Sequence, residues 1–343
     1  MKTLTTYIEQ LDRAAEELRG GTDVGNRLAL ILVDNVVELM LHRWCESRFK
    51  SANAFSLNQK DPRYNGLAKA RVLGTRFDEK LKFVKAEDQL SEVEANFIGL
   101  CHKYRNEAYH LGLSRENVLL PVSWLYHQLT CELFLRLDTK MRAHDAEIIV
   151  PERVAKHAPP SWSEGKRHID LFDTAPIAAS LNAARPELSR LPGESYADAL
   201  DEWIAHLERV TNYTVSGFGK PVERVLAEAQ WWKDLFTNIP PHIEHGEPLS
   251  QHLSEKHSKM SAEWRPKYDA IPIPGWRKRT QRMRQEKDGR KALGSYDRLY
   301  DEIAFYDSFM MDAAGVIDQQ VEEAVERSKE ERNTSRQMSA HLR

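Results

Sequence analysis

An all-α fold is predicted by three observations. Apolar residues recur at helical spacing over long stretches, glycine and proline fall between those stretches, and no strand-period alternation of any length is present. The expected architecture is a helical bundle over residues 1–145, a Pro-rich linker or irregular covering segment over 146–194, and a mostly helical region over 195–343. A chain of 343 residues has room for two domains, and 41% hydrophobic with 29% charged residues is ordinary for a globular protein. The net charge of −3 gives no global sign of nucleic-acid binding, so any such site must be local. Cys45, Cys101 and Cys131 are widely spaced in apolar helical contexts, which reads as three reduced thiols rather than disulfides or a zinc site. The amphipathic, acid-containing start is no signal or transit peptide, and no apolar run reaches the length of a membrane span. A cytoplasmic protein without membrane partners is expected.

The first helix is expected over Leu4 to Arg19, stopped by Gly20-Gly21. Thr22 or Asp23 can cap the second, from about Val24 to Phe49. That helix is apolar around most of its circumference, as suits the centre of a bundle. Its polar residues Arg27, Asp34, Asn35, Glu38 and His42 gather on one narrow seam. Two readings of the seam stand: Asp34 or Glu38 meets a cation of another helix, or the helix simply reaches solvent there. Residues 51–66 read as a loop, and a shorter helix follows with Leu67, Ala70, Leu73, Phe77, Leu81 and Phe83. The next helix is Ser91 to Gly112, and Pro121 opens another through about Arg142.

Prolines 151, 159, 160, 176, 186 and 192 break the middle of the chain, leaving at most a short helix near Ala175–Ala184. Helices resume over Ser195–Tyr213, Pro221–Phe236 and Tyr296 to about Arg327, with a frayed charged remainder. Residues 240–274 are irregular and carry His242, His245, His252 and His257. With no cysteine and no helical His pair beside an acid, a solvated polar segment is expected there rather than a metal site. The densest basic stretch is 276–291, including Arg277, Lys278, Arg279, Arg282 and Arg284. It is either a solvated charged helix or a phosphate-attracting surface.

The helix Ser91–Gly112 has two chemically opposed faces. Val93, Phe97, Leu100, Cys101, Tyr104, Ala108 and Leu111 form the apolar one. His102, Arg105, Asn106, Tyr109 and His110 lie opposite, within an arc of roughly 140°. A guanidinium, an amide, a phenol and two imidazoles on one face differ from the Glu and Lys of an ordinary solvated helix. The order Arg105-Asn106-Glu107-Ala108-Tyr109-His110 is an R-N-x-x-x-H string late in a long amphipathic helix, and over residues 1–145 the chain resembles the HEPN superfamily. The resemblance implies an all-α domain that pairs with a second copy into a composite ribonuclease site. It also implies a place among bacterial toxin–antitoxin or anti-phage systems, with an antitoxin or regulatory partner.

Cleaving RNA without a metal requires a base for the 2′-hydroxyl, a proton for the leaving 5′-oxygen and a cation on the phosphate. His110 titrates near neutrality and suits the proton transfer, while Arg105 can fork onto two phosphate oxygens. Asn106 can hold the sugar or His110, and Tyr109 can assist the phosphate. His102, one turn earlier, is either a phosphate contact or a structural histidine. The expectation is thus an endoribonuclease needing no cofactor, with catalytic Arg105, His110 and Asn106, supporting Tyr109, His102, Asp34 and Glu38, and RNA held by Arg277, Lys278, Arg279, Arg282 and Arg284. The alternative is a non-catalytic helical protein of the same kind that binds RNA, nucleotide or a protein partner.

Overall fold

The computed structural model describes residues 2–54, 61–110, 115–137, 151–158, 174–236 and 264–341. Among these residues there are twelve α-helices, one 3₁₀ turn and no strand, so the fold is all-α. No helix among them is long and apolar enough to cross a membrane. The chain forms two compact units, Met1–Ala199 with Met283–Asp297, and Leu200–Arg282 with Arg298–Arg343.

In the first unit, α1 (Lys2–Gly20) ends where Gly21 takes a left-handed backbone (φ 63°), which glycine adopts without a Cβ clash. The Thr22 hydroxyl then accepts from the Gly25 amide at 3.0 Å and caps α2 (Asp23–Ala54). Helix α2 packs against α1 and against the helices Phe77–Ala86, Glu92–His110 and Glu116–Arg136, the central position that its apolar circumference predicts. Its buried line includes Leu30, Val33, Val37, Leu41, Cys45 and Phe49. Asp34 lies within that line and is fully buried, so it does not reach solvent.

A 3₁₀ turn at Pro62–Tyr64 follows. Where one short helix is expected there are two, α3 (Gly66–Val72) and α4 (Phe77–Ala86). The break between them is held by buried Lys80, whose ammonium donates to the Gly74 carbonyl at 2.6 Å and to that of Arg76 at 3.4 Å. Helix α5 (Glu92–His110) opens with a reciprocal cap: the Glu94 amide donates to the Ser91 hydroxyl at 3.2 Å, and the Ser91 amide to the Glu94 carboxylate at 2.9 Å. Burial opposes the Glu94 charge, yet Arg136 at 2.6 Å and Ser91 hold its carboxyl down at about 2.

Helix α6 (Glu116–Arg136) starts five residues before Pro121 and ends before Arg142. Its predecessor Arg115 sits in the left-handed region (φ 72°). The short helices α7 (Glu152–Ala155) and α8 (Ala175–Ala183) pack onto α1, and α8 also onto α6, so the Pro-rich stretch contributes a covering layer. Fully buried Asp12 ties α7 down through Arg153 at 2.5 Å, Lys156 at 2.7 Å and His157 at 2.7 Å. Gly193, in the first turn of α9 (Pro192–Phe218), lies so close to α11 (Ile273–Gln285) that an added Cβ would be 2.3 Å from the Met283 carbonyl oxygen. The first unit also takes in the start of α12 (Gly289–His341), which begins before Tyr296 and continues past Arg327 as helix.

The second unit is built from the remainder of α9, α10 (Val222–Phe236), most of α11 and the rest of α12. Tyr268, Trp276, Tyr306 and Phe309 form its aromatic centre, with ring centroids 5.0–6.3 Å apart. A cavity of about 620 Å³ in this unit is lined by Phe218, Val225, Ala229, Trp232, Phe309 and Val316 among others, with the Lys233–Asp312 ion pair (3.0 Å) in its wall.

Candidate functional site

The polar face of α5 meets the polar seam of α2 at Asp34. One carboxylate oxygen, Oδ2, accepts from His102 Nδ1 at 2.9 Å and lies 3.0 Å from Arg105 Nε. The other, Oδ1, accepts from the Tyr126 hydroxyl of α6 at 2.9 Å. The Arg105 Nε–H is not aligned on its oxygen, so that contact is an ion pair rather than a hydrogen bond. Three helices therefore converge on one buried charge, and a buried carboxylate is tolerable only when it is paired in this way. Tyr126 is fully buried, and burial together with the Asp34 charge raises its pKa well above that of a free phenol, fixing it as a donor.

His102 is clamped as well as bonded. The Phe77 ring, first residue of α4, stacks on the imidazole with centroids 3.8 Å apart and planes 8° from parallel. The Lys80-held break before α4 is what brings Phe77 to this place. His102 thereby bridges Asp34 and α4.

Arg105 is the member of the cluster that reaches outward, with its side chain 23% exposed. Its Nη1 donates to Asn106 Oδ1 at 2.9 Å, and its Nη2 lies 3.6 Å from Glu38 Oε2, a loose contact at the solvent rim. Asn106 is therefore engaged by its neighbour. Tyr109 is 63% exposed, and the Arg105 guanidinium carbon lies 5.8 Å from the centroid of its ring. His110 is the last residue of α5; its side chain lies outside the described residues, as do residues 111–114.

A second cluster braces the same helix end. Asp297 accepts from the Tyr104 hydroxyl at 3.0 Å, Lys103 Nζ at 3.1 Å and Arg115 Nη1 at 2.7 Å. Arg115 also lies 3.2 Å from Glu107, and its guanidinium stacks 4.5 Å from the Tyr104 ring centroid. Burial opposes charge on both partners, but Arg115 and Lys103 hold Asp297 below the usual carboxylate range. Nothing in the local sequence of α5 announces Asp297, which stands 182 positions from Arg115.

The basic stretch is divided between the two units and drawn into acids. In the second unit Arg277 pairs with Glu208 at 2.6 Å and Arg279 with Glu302 at 2.5 Å, while Lys278 and Arg282 are exposed. In the first unit Arg284 bonds Asp198, and Arg290 pairs with Glu132 at 2.8 Å. His242, His245, His252 and His257 lie outside the described residues. Among the described residues no group of three His, Cys, Asp or Glu is placed to hold a metal ion. All three cysteines are buried free thiols, with burial pushing Cys45 and Cys131 up to about 12. No family model, no curated protein and no solved structure matches this chain.

Proposed function

We propose that the chain is a metal-independent HEPN-type endoribonuclease whose site is the C-terminal end of α5, completed by a second copy across a twofold axis. The observation that carries this reading is the anchoring of Arg105. Buried Asp34 fixes the inner edge of its guanidinium, and the outer nitrogens reach a partly exposed rim beside Asn106, Tyr109 and the helix position of His110. A cation pre-set in this way costs little reorganisation when a phosphate arrives, which is the condition for electrostatic stabilisation of a crowded transition state. Glu38, at 3.6 Å and 34% exposed, is the weakest partner and the one a phosphate oxygen displaces. His110 then takes the 2′-hydroxyl proton, Arg105 and its symmetry mate stabilise the phosphate, and the second His110 protonates the leaving 5′-oxygen. In this reading exposed cations of the basic stretch, Lys278 and Arg282 among them, attract the RNA backbone by charge. A toxin or anti-phage role with a regulatory partner is the biological setting of this proposal.

One observation favours a second reading, a non-catalytic helical binding protein. The Arg105 charge already faces two carboxylates of its own chain, Asp34 and Glu38. The test is incubation of purified protein with total RNA and with tRNA in EDTA, beside Arg105→Ala and His110→Ala. The nuclease reading expects cleavage that both variants lose by about 100-fold or more. RNA retained without cleavage in the parent protein supports the second reading instead.

A further inference from the structure

Helices α10 and α12 line the cavity of the second unit with matched stripes. Val225, Ala229 and Trp232 are spaced four and three residues apart on α10, and Phe309, Ala313 and Val316 repeat that spacing on α12, so each set occupies one face of its helix. Exposure rises along both stripes in the same order. Val225 and Phe309 are buried, Ala229 and Ala313 are only just covered, and Trp232 and Val316 are 54% and 46% exposed. The cavity thus has a buried floor, a middle that two alanines leave wide, and a mouth with an apolar rim. Phe218, the last residue of α9, adds a third aromatic side chain to the wall.

A space of about 620 Å³ with apolar walls is much larger than the voids that core packing leaves. It lies within the range of small-molecule sites, which are mostly apolar with a few polar groups. The charged groups here are already engaged. Lys233 pairs with Asp312 at 3.0 Å, and Glu228 takes Lys220 at 2.7 Å and Arg224 at 2.8 Å, which hold its carboxyl below the usual range. A charged ligand would have to enter apolar surroundings unpaired or break one of these pairs, whereas an uncharged one does neither.

We propose that this cavity binds an uncharged, largely apolar aromatic small molecule, with its rings among Phe218, Trp232 and Phe309. All three side chains belong to the second unit, so the proposal does not rest on the nuclease reading.

The experiment is fluorescence titration of the full-length chain with N-phenylnaphthylamine, an uncharged aromatic probe that brightens in apolar surroundings. Its anionic counterpart, anilinonaphthalene sulfonate, has the same rings and one negative charge. Saturable binding of the uncharged probe at a single site is expected, with the sulfonate weaker by about tenfold or more, because its charge would meet apolar walls or groups already paired. Ala229→Phe and Ala313→Phe fill the wide middle and should each weaken the uncharged probe by about tenfold or more. Trp232→Ala, at an exposed position that the fold tolerates, should weaken it by about fivefold. Met311→Ala removes an exposed apolar side chain of α12 outside the cavity wall and should leave binding unchanged. Circular dichroism identifies the variants that keep the fold. A parent without saturable binding, a sulfonate bound as tightly as the uncharged probe, or folded variants at Ala229, Ala313 and Trp232 that bind as the parent does would overturn the proposal. Bound probe lost as protein concentration rises would overturn it too, since a second copy would then be the occupant.

Discussion

Replacing Asp34 with Asn removes one charge and one of the two oxygens that three groups share. His102 and Arg105 share Oδ2 at 2.9 and 3.0 Å, and Tyr126 bonds Oδ1 at 2.9 Å. The Asn oxygen can serve Tyr126 or the side shared by His102 and Arg105, and when it serves Tyr126 the amide nitrogen points a donor at the other two. Breaking a fully buried pair by removing one partner costs about 3–5 kcal/mol. Arg105 is 23% exposed and has Glu38 at 3.6 Å as a fallback, so the lower end applies, about 3 kcal/mol. For a unit of this size that is a fall of about 6–12 °C in Tm. Urea unfolding of Asp34→Asn, Arg105→Met and the double variant gives the coupling directly, expected at about 2 kcal/mol in favour of the native pair. Single-variant losses below about 1 kcal/mol that simply add would refute the view that Asp34 anchors Arg105.

Three further outcomes follow from the same structure. Burial holds His127, whose Nε2 bonds the Leu11 carbonyl at 2.9 Å, down at about 4 against 6.5 when free. Its neutral form therefore contributes stability that is complete above pH 6.5 and lost as pH falls toward 4, about 3 kcal/mol in all. The urea midpoint should follow that slope, and His127→Gln should flatten it. Glu94 acts lower on the scale: its stabilisation is present above pH 4.5 and disappears as pH falls through about 2, so an Arg136→Leu variant should be less stable than the parent near neutral pH and should lose less stability between pH 4.5 and 2. Gly193→Ala drives a methyl to within 2.3 Å of a backbone oxygen and should destabilise by about 2–3 kcal/mol, while Gly275→Ala, with nothing within 4 Å, should be neutral or better in thermal melts.

What the sequence made legible was the part governed by local periodicity. The greasy circumference of α2 places it at the centre of its unit, and the two faces of α5 separate its core stripe from the group around Arg105. The seam on α2 announced Asp34 and Glu38 as candidate partners for a cation, and both lie beside Arg105. The α3–α4 break was not legible, because it depends on Lys80 reaching back to carbonyls of the preceding turn. Asp297 was hidden for a different reason: a carboxylate in a remote helix carries no local mark of the arginine it will meet. Arg277, Arg279 and Arg284 read as a basic surface because their acids, Glu208, Glu302 and Asp198, are distant in sequence. Composition counts charges, and pairing is decided by the fold.

In the proposed reaction a fixed arginine and a titratable imidazole at the end of α5 cleave RNA through its own 2′-hydroxyl. End-group mapping tests this most directly, using a defined RNA strand in EDTA and a matched strand with a single 2′-deoxy substitution at the cleaved position. The expected result is a 2′,3′-cyclic phosphate on the upstream fragment and no cut at the substituted position. Cleavage that proceeds at the 2′-deoxy position, or that leaves a 5′-phosphate on the downstream fragment, would contradict it.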